Sequence, residues 1–295
     1  ENERYRLKVS PENLILNGSN WSIPSENEIV YHQNSIEVSN FELNRNGQSI
    51  EFRDNLEFEK DHLGIIFDNF KLSSITSFFN PDEKLAGGKM SGELVVIEPL
   101  VSNGLISSLT IEDLKLTEVP LGNLSLKAQA TSEDDYDLNL SLKDEGINLF
   151  AEGIYHTNPS ETNIDLSLEL NKLEMQTIEM FAVDVIKDSK GELAGNFSVV
   201  GTQEDLNYKG ALDFKNIEFN LQTLNTVFQL SDESLELINN EVRFDDFTIK
   251  DVDENKFTTN GKIVIDDISN PKFDLTLNAK DFQLLNSTIE DNDLY

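Results

Sequence analysis

Chemistry needs particular side chains close together, and this chain offers few of them. Its three histidines, His32, His62 and His156, stand far apart, and none keeps a metal-ligand spacing. They read as surface histidines. There is no cysteine, which removes thiolate chemistry, disulfides and cysteine-based metal sites. Two acidic runs stand out: Glu133, Asp134 and Asp135 with Asp137, and Asp251 with Asp253 and Glu254. Neither keeps the Asp-x-Asp-x-Asp-Gly pattern of a calcium loop, so both read as solvated turns. Acids are so frequent that no two of them are singled out as a glycoside-cleaving pair. Gly87-Gly88-x-x-x-Gly92 leads into a strand, whereas a nucleotide loop leads from a strand into a helix, and no Gly-x-Ser-x-Gly elbow occurs. Asn-x-Ser/Thr triplets at Asn17, Asn20, Asn123, Asn139, Asn196 and Asn286 are compositional. The expectation is a chain that is not an enzyme, with no catalytic residue, cofactor or metal.

What remains is apolar binding. Leu, Ile, Phe and Val alternate with Asp, Glu, Asn, Ser and Lys along most of the chain, the pattern of half-buried strands. The cleanest runs supply the candidate binding residues: Leu124, Leu126, Leu138, Leu140, Leu142, Ile164, Leu166, Leu168, Leu170, Phe197, Val199, Leu212, Phe214, Phe273, Leu275 and Leu277. A sheet with one apolar face must cover that face or use it.

Few other elements are available to cover it. A helical period appears from Asn69 to Phe79 (Leu72, Ile75, Phe78) and from about Leu173 to Val185 (Ile178, Phe181, Val185). Lys280 to Ile289 is expected to form a third helix. Asn80-Pro81 ends the first, and turns are expected at Asn46-Gly47, Asn103-Gly104, Ser132–Asp135 and Asn158-Pro159-Ser160. After each of the first two helices comes a matched stretch, Gly88-x-Met90-x-Gly92 and Gly191-x-Leu193-x-Gly195, 103 positions apart. These read as glycine turns that launch the next strand. The chain of 295 residues is expected to be one continuous array, 1–295, with repeat units 1–88, 89–191 and 192–295. Closed sandwich and open trough both fit the strand pattern.

Acids outnumber bases 55 to 23, a net charge of −32, which repels nucleic acid and anionic lipid surfaces. No apolar run is long enough to span a membrane as a helix. The start at Glu1 is read as that of an internal length of a longer protein.

Several stretches resemble the translocation and assembly module TamB family, the AsmA-like envelope proteins, in its Bacteroidota form. They are Leu193 to Val199 with Gly201-Thr202-x-Glu204-Asp205, then Tyr208-x-Gly210-x-Leu212-x-Phe214-x-Asn216. Phe244-Asp245-Asp246-Phe247-Thr248-Ile249-x-Asp251, Gly261 to Ile265, and Asn270-Pro271-x-Phe273-Asp274-Leu275 to Phe282 follow in order. Asn20-Trp21-Ser22-Ile23, Ile36-x-Val38-x-Asn40-Phe41-x-Leu43 and Gly47 to Ile50 are similar too. The resemblance implies an all-β fold: an elongated, curved antiparallel sheet forming a β-taco, a solenoid-like trough with an apolar interior and a short helix about every 103 residues. It implies a periplasmic location, in a parent protein anchored in the inner membrane and meeting an Omp85-type outer-membrane barrel. It implies phospholipid acyl chains as the cargo, carried between membranes for outer-membrane biogenesis. Scaffolding of outer-membrane barrel assembly by strand addition is the alternative. A carbohydrate-active or adhesive β-solenoid is a third reading, with only Trp21 and six Tyr for stacking.

Overall fold

Successive side chains of a strand point to opposite faces, so apolar alternation commits each strand to one buried side. Sequential strands joined by short turns pair as antiparallel neighbours. The structure, a computed structural model, describes residues 4–16, 18–32, 35–79, 85–101, 104–157, 163–202, 205–266 and 270–286, without the side chains of Phe78 and Phe79. Its contacts form two units, Glu1–Lys143 with Ala151–Ile164, and Asp144–Phe150 with Asp165–Tyr295.

In the first unit lie β1 (Arg4–Leu7), β2 (Ile15–Leu16), β3 (Ser19–Asn20), β4 (Glu28–His32), β5 (Ser35–Ser39), β6 (Phe41–Arg45) and β7 (Gln48–Arg53). They are followed by β8 (His62–Lys71), α1 (Leu72–Phe79), β9 (Ala86–Ile97), β10 (Gly104–Leu116), β11 (Val119–Ala130) and β12 (Asp135–Lys143). β13 (Ile147–His156) begins in the second unit and ends in the first. The second unit continues with β14 (Ile164–Glu174), whose first residue still belongs to the first unit, α2 (Met175–Phe181), β15 (Ile186–Gly201), β16 (Leu206–Leu221) and β17 (Thr226–Leu230). Then come β18 (Glu233–Ile238), β19 (Glu241–Lys250), β20 (Lys256–Val264) and β21 (Lys272–Ala279). The chain is nearly all β, with one long antiparallel sheet of 16 strands. Its order follows the sequence from β6 to β17, then β19, β20 and β21, while β18 pairs with β16 and β19.

The strands are longer than short apolar clusters suggest, and the reason is specific. Four times an apolar residue is followed by one polar residue, an Asn or Asp, and another apolar residue. These are Phe67–Phe70, Ile111–Leu114, Phe214–Ile217 and Phe244–Phe247. The alternation breaks phase there, as if one strand ended and another began. Instead Asn69, Asp113, Asn216 and Asp246 adopt φ of 47°, 51°, 49° and 49°, left-handed conformations that Asn and Asp tolerate. The ladder shifts register beside each of them. These are β-bulges, which insert one residue and restore the period so that the next apolar residue returns to the same face. At three of them the single opposing residue accepts the bulged N–H. Asn69 donates to Ser91 Oγ (3.1 Å), Asp113 to Asn123 Oδ1 (3.2 Å) and Asp246 to Asn260 Oδ1 (2.8 Å).

Several expectations are corrected by this geometry. The paired glycine stretches are not turns: Gly88 and Gly92 lie within β9, and Gly191 and Gly195 within β15. Gly191, at φ 90°, sits across from the Asn216 bulge, where a Cβ would come within 2.3 Å of the Asn216 carbonyl oxygen. The helices are shorter than the periodicity suggests: Asn69 to Lys71 belong to β8 and Leu173 to β14. Phe181 and Val185 do not share a covered face with Ile178, being 50% and 51% exposed. No helix forms over Lys280–Asn286. Residues 287–289 of that expected helix, and the turns at Asn80-Pro81, Asn103 and Asn158-Pro159-Ser160, lie outside the described residues. The 103-residue period itself holds for the helices, which start at Leu72 and Met175.

Neither helix is long enough to be stable alone, so packing holds them. α2 has no side-chain N-cap. Its Met175 instead joins the core of Ile186, Leu193, Ile217, Leu230 and Phe247, with Ile178 packed against it. Thr177 Oγ1 donates to the Gly146 carbonyl at 3.4 Å. In the first unit Ile75 of α1 packs with Trp21, Phe67, Phe70 and Met90.

Because Gly191 has both a positive φ and no room for a methyl group, Gly191→Ala is expected to destabilise the fold by roughly 1–3 kcal/mol. Urea denaturation followed by circular dichroism would measure it. A change under 0.5 kcal/mol would show that the bulge does not depend on glycine.

Candidate functional site: the apolar sheet faces

Register turns separate strands into continuous rows. In the first unit Leu43, Ile50, Phe67, Gly92, Leu109, Leu126 and Leu140 are successive cross-strand partners from β6 to β12. A parallel row on the same face runs Phe41, Phe52, Ile65, Leu94, Ser107, Ala128 and Leu138. Beyond the bulges, Phe70, Met90, Ile111, Leu124 and Leu142 make a third. Ser107 is the polar intruder, and its hydroxyl is turned to the Glu93 carbonyl oxygen at 3.2 Å. At a strand spacing of about 4.8 Å, a seven-strand row extends roughly 29 Å.

The second unit repeats the arrangement. Phe197, Gly210, Leu237, Val242, Ile263 and Phe273 are successive partners from β15 to β21. Beside them lie Gly195, Leu212 and Leu235, and then Phe244, Gly261 and Leu275. Glycine on such a face would leave a gap, and a neighbouring aromatic ring fills one of these. The Phe197 ring covers Gly210, where a Cβ would lie 2.2 Å from a ring carbon.

Of the sixteen residues expected to form an apolar interior, Leu142 is buried, while Phe273 and Leu277 on β21 are 66% and 56% exposed. The other thirteen, Leu124, Leu126, Leu138, Leu140, Ile164, Leu166, Leu168, Leu170, Phe197, Val199, Leu212, Phe214 and Leu275, are half-buried. Half-burial of a Leu flanked by strand partners means that neighbours cover its sides while part of its outer surface stays accessible. Along β14 the intervening Asp165, Ser167 and Glu169 are exposed. Charge is kept off these rows and paired elsewhere. Lys190 meets Glu218 at 2.7 Å, and Arg243 meets Glu241 at 2.8 Å. Lys262 and Arg243, in that order, hold the Glu241 carboxyl below its usual range by hydrogen bonding. Solvent and salt screen such exposed pairs.

The polar clusters are structural. His62 is buried, contrary to the surface reading: its Nε2 accepts from Leu56 N at 2.9 Å and Nδ1 donates to the Lys60 carbonyl at 2.9 Å. His156 Nδ1 lies 2.6 Å from Asp135 Oδ1, joining the ends of β12 and β13. The Ser132 hydroxyl donates to Asp135 (2.7 Å), not to the histidine, so this trio lacks an activated nucleophile. The Ser132 hydrogen bond, and then that of His156, holds the Asp135 carboxyl below its ordinary range. Among the described residues no group of three or more His, Cys, Asp or Glu is placed to hold a metal ion.

Asp251 overturns the solvated-turn reading, for it is fully buried. It accepts from the backbone N–H of Asp253 (3.0 Å), Asn255 (2.9 Å) and Gln283 (2.8 Å) and from Asn255 Nδ2 (3.1 Å). Burial pushes its pKa up, but these donors outweigh burial and hold it low. The Gln283 contact is one of several that tie residues 282–286 down. Phe282 stacks on Phe228 (5.7 Å, 5°), Thr226 Oγ1 donates to the Leu284 carbonyl (3.3 Å), and Asn286 N donates to the Leu224 carbonyl (3.0 Å). A run of acids two apart hints at an Asx turn in the sequence, but nothing there signals its long-range partner, 32 residues on.

No family model, curated protein or solved structure matches this chain.

A carboxylate whose folded pKa is depressed stabilises the fold above its unfolded pKa, about 3.9 for Asp, and that contribution is lost as pH falls through the folded value. Amide exchange at Gln283 is therefore expected to stay slow at pH 5 and to speed up below about pH 4, ahead of the β15–β16 ladder. Asp251→Ala should speed it at pH 7 as well. Protection unchanged in that variant would remove Asp251 as the anchor.

Proposed function

We propose that this chain is a lipid-binding length of a bridge protein resembling the TamB family, whose apolar faces carry phospholipid acyl chains between the inner and outer membranes. It is read as periplasmic, and it does no covalent chemistry. The observation that carries this reading is the set of cross-strand apolar rows, free of charged side chains over several strands and with half-buried members such as Leu126, Leu138 and Leu140 beside buried ones such as Phe67 and Met90. A row of roughly 29 Å exceeds the ~15 Å that one leaflet contributes to a bilayer core. The Trp21 cluster includes Phe67 of that row and packs against its Leu43, Ile50 and Leu109 positions, and Leu126 and Leu140 continue it; an acyl chain would lie along the outer surface that stays accessible. Each methylene removed from water there contributes about 0.8 kcal/mol, so one chain binds firmly while small displacements exchange equivalent contacts. Parent-protein partners, an inner-membrane anchor and an Omp85-type barrel, belong to the same proposal.

β21 supports a second reading, strand-addition scaffolding of barrel proteins. It ends the sheet order, and Phe273 and Leu277 are exposed on it. Photocrosslinkers at Leu126, Leu140 and Phe273 separate the two. Lipid adducts at Leu126 and Leu140 favour carriage; polypeptide adducts confined to Phe273 favour scaffolding.

Native mass spectrometry of the purified chain is expected to show bound phospholipid. Leu126→Asp and Leu140→Asp, placed on one row, should each lower lipid occupancy at least fivefold while leaving the β circular dichroism spectrum in place. Folded variants that retain full lipid occupancy would end the acyl-binding reading.

A further inference from the structure

A cleft beside the first unit's apolar face differs in chemistry from three other clefts of the described residues. It measures about 300 Å³ and is lined by Leu16, Ser19, Trp21, Arg45, Lys71, Ser73, Ser74 and Ser77. None of these is a carboxylate. Three other surface clefts each carry carboxylates: Glu174 and Glu192 in one, Glu37, Asp54, Glu59 and Asp61 in another, Glu112 and Asp113 in the third. In a chain with 55 acids and 23 bases, two cations gathered without an acid are unusual. Among the described residues neither Arg45 nor Lys71 has a carboxylate within ion-pair distance. The guanidinium of Arg45 sits 5.9 Å from the centre of the Trp21 ring, which orients it without neutralising it.

The same residues tie the cleft to the apolar rows. Arg45 follows Phe41 and Leu43 on one face of β6 and pairs with Gln48, so a cation stands on the same face beside the β6 end of the row Leu43–Leu140. Trp21 joins Phe67, Phe70 and Met90 in one buried cluster, against which the half-buried Leu43, Ile50 and Leu109 pack. Ser74 donates to the buried Gln48 side chain at 3.3 Å, and the backbone of Lys71 donates to the same oxygen at 3.0 Å, which fixes the start of α1 against the cleft. Ser73 is exposed, and its hydroxyl makes no hydrogen bond among the described residues.

Resting on the lipid-binding reading, we propose that this cleft holds the phosphate group of an amphiphile whose acyl chain lies along the adjoining row. Arg45 and Lys71 supply charge-assisted hydrogen bonds, Ser73 adds a hydroxyl donor, and the Trp21 and Leu16 surfaces receive the first carbons. The net charge of −32 repels anions at long range, but at physiological salt that field is screened over about 8 Å. Inside a carboxylate-free cleft the two cations then dominate. The apolar rows alone would not distinguish one lipid from another; this cleft would favour a phosphate-bearing lipid over a neutral diacylglycerol.

Trp21 is the chain's single tryptophan, so its fluorescence reports on the cleft directly. The probes are dihexanoyl phosphatidylglycerol, dihexanoylglycerol and inorganic phosphate. Dihexanoyl phosphatidylglycerol is expected to give a saturable change, weakened about tenfold by Arg45→Gln and by Lys71→Gln and by raising salt, with Arg45→Lys retaining most of the affinity. Circular dichroism confirms that each variant is folded. Inorganic phosphate at equal affinity, with the same dependence on Arg45 and Lys71, would assign the site to free phosphate and overturn the lipid assignment. Dihexanoylglycerol binding as tightly as the phospholipid, or phospholipid binding indifferent to both cations, would overturn the phosphate site. Leu126→Asp separates the two layers: if it abolishes long-chain lipid binding but leaves the short-chain response, row and cleft both stand. If it changes neither, the acyl-binding reading fails while the cleft survives.

Discussion

The period of two along a β-strand is the constraint on which everything else here depends. A residue gained or lost without compensation would move every later side chain to the opposite face. Long strands such as β10, β16 and β19 contain such an added residue and still keep one apolar side, because each bulge is written into the sequence as apolar, polar, Asx, apolar. Asx tolerates the left-handed backbone, and the facing strand supplies an acceptor for the displaced N–H. Where the facing backbone comes too close, as at Gly191, the neighbour is glycine. Bulge, acceptor and glycine thus form one device, and the repeat of 103 residues carries its glycine component along with the helix.

That device explains what was legible in the sequence and what was not. Strand type and apolar face could be read directly from alternation, as in Leu138–Leu142 and Ile164–Leu170. Strand length could not, because a phase break looks the same whether the strand ends or bulges. Phe244 and Phe247 read as members of two strands and are neighbours in one. Glycines read as turns for the same reason: positive φ is required by turns and by bulges alike. The helices were placed by their period but overextended, since the alternation of the flanking strands also places apolar residues near helical spacing. The half-buried candidate residues were recoverable because their exposure follows from local pattern. His62 and Asp251 were not, because their burial depends on partners supplied by the fold. For Asp251 one of these is Gln283, which no local rule links to it.

The unusual property is an apolar face left half-covered in a molecule of this size. Extended apolar faces and open sheet edges invite association between copies. The net charge of −32 opposes it, through repulsion between copies. The same charge excludes polyanions in general and leaves neutral hydrocarbon unaffected. Composition and pattern therefore act together as a filter. On the proposed reading an acyl chain would be accepted along a row, nucleic acid refused, and a phosphate admitted only where carboxylates are withdrawn, in the cleft lined by Arg45, Lys71 and Trp21. An apolar face alone would accept any hydrocarbon. One cationic cleft at the end of a row is the smallest addition that would make such a face discriminate, because it acts on the one part of a phospholipid that the rows do not touch.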